Sequence, residues 1–166
     1  MKSPQTLEIL KQAILLEKRG KAFYSNAAEN SKDPDVKKIF ITMAEEETEH
    51  VKFLAQQYKN FETDGKFSDI DVPSTDNTIA DAVISEGLAK RVNAAGYEAA
   101  AIASAIEMEN RSIELYAGRA KTAENKDEKK FYLWLADWER GHHQLLYKLD
   151  QELKEQIWND NSFWPF

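Results

Sequence analysis

Apolar residues recur every three or four positions along most of this chain. Leu7, Leu10, Ile14, Glu17, Lys21 and Tyr24 form a first stripe, with Ala13, Gly20, Ala27 and Ala28 beside it. A 3.6-residue period predicts a helix. Ser3-Pro4 starts it, a hydroxyl cap followed by a proline whose missing N–H costs nothing in the first turn. The stripe ends near Asn30-Ser31, and Asp33-Pro34 restarts a helix by the same logic. Its stripe is Val36, Ile39, Phe40, Met43, Glu47, His50, Leu54 and Tyr58. So short a joint makes the two helices antiparallel neighbours.

The pattern breaks over residues 60–77, which are polar and rich in turn formers. This stretch reads as a long connection, with a short helix expected from Thr78 to Arg91. A third long helix is expected over Asn93–Lys121, on the stripe Ala99, Ile102, Ala105, Ile106, Glu109, Ile113, Tyr116 and Ala120. A fourth is expected over Lys126–Ile157, on Phe131, Leu135, Glu139, His142, Leu146, Leu149 and Leu153. Residues 158–166 form an aromatic tail, read either as a cap on the bundle or as a contact for a second copy in a homodimer.

The two halves are copies at an offset of 92 residues, without a gap. Glu17 maps to Glu109, Arg19 to Arg111, Tyr24 to Tyr116, Phe40 to Tyr132, Glu47 to Glu139, His50 to His142 and Leu54 to Leu146. Each half is a helical hairpin that cannot bury its stripe alone. The expected fold is therefore all-α: a four-helix bundle over residues 1–157, built from hairpins at about 4–60 and 93–157. A crossover over 61–92 is long enough to run the length of the bundle.

Each hairpin carries a Glu on its first helix and Glu-x-x-His on its second: Glu17 with Glu47 and His50, then Glu109 with Glu139 and His142. Residues at i and i+3 share a helix face, so each Glu/His pair can grip one ion from one side. At 1.5 Å per residue, both carboxylates of each hairpin sit about 22 Å from its turn, so all four reach a common level. All six residues lie on the inward stripes. Four buried carboxylates cannot stay ionised and unpaired, because desolvation costs several kcal/mol per ion. No Lys or Arg repeats at that level on the inward faces. Two divalent cations would balance four carboxylates beside neutral imidazoles, and mixed oxygen and nitrogen donors suit iron, manganese or zinc better than calcium or magnesium.

Composition narrows the field. The chain of 166 residues has no Cys, which removes disulfides, iron–sulfur clusters, rubredoxin-type iron sites and thiol nucleophiles from it. Its 22 basic and 29 acidic residues leave a net charge of −7, which argues against a nucleic-acid partner. Only 6 Gly and 4 Pro disfavour an all-β fold. No membrane-length apolar run and no signal-peptide pattern is present, so the expected compartment is the cytoplasm.

These residues resemble the ferritin-like superfamily, and within it the rubrerythrin-like di-iron proteins and the bacterioferritins. The resemblance spans about residues 4–156. It implies Glu17 and Glu109 as outer ligands of two iron ions, Glu47 and Glu139 as bridging ligands, and His50 and His142 as terminal ones. It implies an oxidoreductase that meets dioxygen or hydrogen peroxide, by peroxide reduction or ferrous oxidation, and takes electrons from an external donor such as a rubredoxin-type protein. Iron binding with ferroxidase action for storage or detoxification is one alternative. A metal-free helical interaction module is another. Three departures stand out. There is no rubredoxin domain. Ser112 stands where rubrerythrins carry a further Glu one turn after the third-helix ligand, with Gly20 as its repeat mate. Thr48 stands where haem-binding bacterioferritins place Met, so no haem is expected.

Other residues take plainer readings. Tyr24 and Tyr116 are expected to pack in the core, with hydrogen bonding near the metals as the sharper alternative. His143 is read as a surface residue. Glu45, Glu46 and Glu49 are read as mostly solvent-facing, with Glu46 the one able to support a ligand. Trp134 and Trp138 are read as packing residues.

Overall fold

Two repeat-related side chains set the turns of this fold. Asp33 Oδ1 accepts from Asp35 N at 2.9 Å and Val36 N at 3.2 Å. Asn125 Oδ1 accepts from Asp127 N and Glu128 N, both at 2.9 Å. Each satisfies amide groups that the first turn of a helix leaves unpaired. In the computed structural model, which describes residues 4–75 and 87–159, the helices are α1 (Pro4–Asn30), α2 (Pro34–Asp64), α3 (Leu88–Arg91), α4 (Tyr97–Thr122) and α5 (Lys126–Asn159). Helix α1 packs along α2 and α4 along α5, while α1 also meets α4, giving an all-α four-helix bundle among the described residues. No helix among the described residues is long and apolar enough to cross a membrane.

The hairpins are inverted relative to each other. Glu98, at the start of α4, accepts from the Lys32 amide at 2.6 Å in the first turn. Arg119, at the end of α4, reaches Thr6 Oγ1 at 3.2 Å at the start of α1 and ion-pairs with Glu128. Thr6 and Glu98 are repeat mates, so each hairpin steadies one end of the other. The apolar core falls into two clusters. One gathers Tyr24, Ile39, Phe40, Met43, Ile102, Leu146 and Leu149 at the first-turn end. The other gathers Leu10, Leu54, Phe61, Phe67, Tyr116, Tyr132 and Leu135 at the opposite end. The inward Glu and His residues lie between them.

Several boundaries differ from the periodicity reading. Helix α2 continues to Asp64 and stops at Gly65, whose left-handed backbone (φ 71°) suits glycine and whose N–H bonds Phe61 O at 2.9 Å. Helix α4 starts at Tyr97 instead of Asn93, because Asn93 Oδ1 takes the Ala95 amide at 2.9 Å and holds a turn there. The short crossover helix is described only over Leu88–Arg91, since residues 76–86 lie outside the described residues. So does the tail from 160 onward, whereas Trp158 belongs to α5 and is 70% exposed. Within α1 the inward line is Leu10, Ala13, Glu17, Gly20 and Tyr24, and Lys21 faces solvent. In α2, Gln57 is fully buried at the position next to the expected Tyr58. Its amide donates to Ser68 O at 2.7 Å and accepts from Ser68 N at 3.1 Å, which clamps the start of the crossover and seats Phe67 in the core.

Replacing either cap tests the turns. Asp33→Ala and Asn125→Ala should each lower unfolding free energy by about 1 kcal/mol in urea titrations, whereas Asp33→Asn should retain most of the stability. Equal losses for Ala and Asn at position 33 would contradict the capping account.

Candidate metal centre

Helical spacing brings the six expected residues to one buried place. Glu17 on α1, Glu47 and His50 on α2, Glu109 on α4, and Glu139 and His142 on α5 are each at most 4% exposed. They form two overlapping groups. Glu17, Glu47, His50 and Glu139 make one; Glu47, Glu109, Glu139 and His142 make the other. In each group one ligating atom per residue lies within 4.8 Å of all the others. Glu47 and Glu139 belong to both. His50 Nδ1 faces Glu17 Oε2 at 3.1 Å, Glu139 Oε1 at 3.2 Å and Glu47 Oε2 at 3.3 Å. His142 Nδ1 faces Glu139 Oε2 at 3.2 Å and Glu109 Oε1 at 3.5 Å. The two imidazole ring centres lie 6.1 Å apart, with their planes inclined by 27°.

Two tyrosines tie the hairpins together at this level. Tyr24 on α1 donates to Glu109 Oε1 on α4, and Tyr116 on α4 donates to Glu17 Oε1 on α1. Packing alone is therefore not their role: each holds one oxygen of the other hairpin's outer carboxylate. Burial and the charge of that carboxylate raise both hydroxyls well above the ordinary phenol range, so they remain donors.

The cluster holds protons. Burial, then the charges of Glu17 and Glu139, raise the Glu47 carboxyl well above its usual range. Burial and the Glu139 charge push Glu109 up to about 8. Burial opposes charge on Glu139 too, but the cationic His50 ring beside it prevails and holds this carboxylate well below the usual range. Both imidazoles are raised despite burial, His50 chiefly by Glu139 and His142 chiefly by Glu109.

The donor set fits a pair of divalent metal ions. Both oxygens of Glu139 and Nδ1 of His142 are buried without a hydrogen-bond partner, although buried polar atoms are nearly always paired. Carboxylate and imidazole together suit iron, manganese or zinc. Glycine at position 20 keeps the site open: a Cβ there would stand 3.2 Å from Glu47 Oε1. Its repeat mate Ser112 is also buried.

Three residues, Glu46, Trp138 and Trp134, support the cluster from its flank. Glu46 is partly buried, and its Oε2 bonds His142 Nε2 and accepts from Trp138 Nε1 at 2.8 Å. Trp138 and Trp134 stand edge-to-face with the His50 ring, at 5.1 and 6.0 Å. The signal for Glu46 was its place one residue before Glu47, on the flank of the inward face. His143 is half-buried and stacks on Tyr147 away from the cluster, and Glu45, Glu49, Glu107 and Glu114 face solvent.

The rubrerythrin family model matches residues 8–150, and the chain belongs to that family. A solved structure of a hypothetical protein from Pyrococcus furiosus is similar in fold, with a TM-score of 0.64, 23% identity and 90% of each chain covered. No curated protein matches.

Protons compete with metal ions for Glu47, Glu109, His50 and His142, whose proton affinities are all raised, so binding should release protons and tighten as pH rises toward and through about 8, the range to which Glu109 is pushed. Calorimetric titration with Zn²⁺ in buffers of different ionisation enthalpy measures that release. Affinity independent of pH would contradict the charge assignment.

Proposed function

We propose that this member of the rubrerythrin family is a di-iron oxidoreductase that reduces hydrogen peroxide or meets dioxygen, using electrons from an external one-electron donor such as a rubredoxin-type protein. The observation that carries the reading is the pair of overlapping donor groups sharing Glu47 and Glu139. Glu17 and His50 would complete one ion's ligands, and Glu109 and His142 the other's. When bound, a pair of redox-active ions supplies two electrons together, as reducing peroxide to two waters requires.

The protein's part is positioning and exclusion. Tyr116 engages Oε1 of Glu17, leaving Oε2 to face His50, while Tyr24 engages Oε1 of Glu109, the oxygen that also faces His142 Nδ1. Glu46 fixes the outer nitrogen of His142, so Nδ1 faces inward. The apolar clusters on both sides keep the site dry, with Tyr24, Phe40 and Met43 toward the first turn and Leu54, Tyr116 and Leu135 toward the second. No Cys is present among these 166 residues, so a thiolate-bound electron-transfer centre would lie outside them.

The test is anaerobic loading with ferrous iron followed by hydrogen peroxide. Two irons per chain, an optical change complete at one peroxide per two irons, and donor-dependent turnover above that of free iron are expected. Turnover equal to free iron, with no optical change, would overturn the enzymatic reading. Because Glu139 is shared, Glu139→Ala should deplete both ions, whereas Glu17→Ala should spare the ion held by Glu109 and His142. Metal analysis of the purified variants separates the two results.

A further inference from the structure

Glu46 and Trp138 are repeat mates, and they touch: the indole N–H donates to the carboxylate at 2.8 Å. A contact between equivalent positions of the two hairpins lies on the axis that relates them. The fold therefore has one equivalent place behind each imidazole, and the two copies fill it differently. Behind His142, the Glu46 carboxylate bonds the outer nitrogen, Nε2. Behind His50 stand Trp138 and Trp134, and His50 Nε2 is buried with no hydrogen-bond partner. Neither indole supplies a lone-pair acceptor. Both indole N–H groups are occupied elsewhere, Trp138 on Glu46 and Trp134 on Pro73 O at 2.9 Å.

We propose that this asymmetry makes the two halves of the centre unequal, with Glu46 a positioning residue that gives the Glu109–Glu139–His142 half the higher metal affinity. A carboxylate behind a ligating histidine fixes its tautomer, fixes its ring plane and strengthens the donor nitrogen that faces the metal; its loss typically costs about 10- to 100-fold in affinity. His142 has that support. Behind its ring His50 has aromatic walls alone, and it must also bury an unsatisfied ring nitrogen. The first ion taken up accordingly occupies the His142 half. The inference rests on the two-ion reading of the cluster.

Cobalt(II) titration of the metal-free protein, followed by visible absorption, tests it without turnover. His50→Ala and His142→Ala each leave one histidine, so their first binding steps can be compared without repulsion from a neighbouring ion. His50→Ala should bind about 10- to 100-fold more tightly than His142→Ala. Adding Glu46→Ala should erase that advantage in the His50→Ala background and weaken binding far less in the His142→Ala background. Glu46→Gln, which keeps a neutral acceptor of the same shape, should recover part of the affinity and serves as the second variant should the alanine fail to fold. Equal affinities of the two histidine variants, or equal weakening of both by Glu46→Ala, would overturn the proposal while leaving the two-ion reading intact. A wild-type chain that takes up no cobalt overturns both.

Discussion

The bundle is organised around a charge problem. Four carboxylates and two imidazoles sit at one level with almost no exposure, where an unpaired charge would cost several kcal/mol. The protein meets this by sharing protons and by pairing across hairpins. Burial and neighbouring charges push Glu47, Glu109 and both histidines toward their protonated forms and Glu139 toward its ionised form. Every side chain of the cluster depends on a partner from another helix. The polar layer is thus a constraint on helix register as well as a place for ions.

That constraint explains the rest of the architecture. The two apolar clusters lie on either side of the polar layer. A one-residue slip of any helix would carry a carboxylate out of the layer and an apolar side chain out of the core. The Tyr24–Glu109 and Tyr116–Glu17 bonds lock α1 against α4 at this height, and the turn contacts of Glu98 and Thr6 hold the ends. Such satisfied polar contacts fix one arrangement among several that hydrophobic packing alone would permit.

Much of this was legible in the order of residues. The 3.6 period located the four long helices, and the 92-residue offset doubled the force of each motif: a single Glu-x-x-His says little, but two in register with Glu17 and Glu109 define a layer. Contacts between helices were not legible. Tyr24 reads as packing because its hydroxyl partner lies 85 residues away. Glu46 sits in an acidic run, and only the approach of α5 turns it toward His142. Gln57 displaced Tyr58 from the core because the crossover returns to meet it, a tertiary event that no helical period records. Lys21 and Gly20 are separated by one residue's rotation, which stripe counting resolves poorly. The late start of α4 followed from a local side-chain bond at Asn93 that competes with helix.

The Glu46–Trp138 contact also bears on how the duplicated halves find each other. A first hairpin paired with a copy of itself would bring Glu46 against Glu46 on the shared axis, two like charges in a half-buried setting. A second hairpin paired with its own copy would set one bulky indole against another, with no acceptor for either N–H. Only the mixed pairing gives the carboxylate a donor and the indole an acceptor. Divergence at one position after duplication thus favours pairing of unlike hairpins over pairing of like ones.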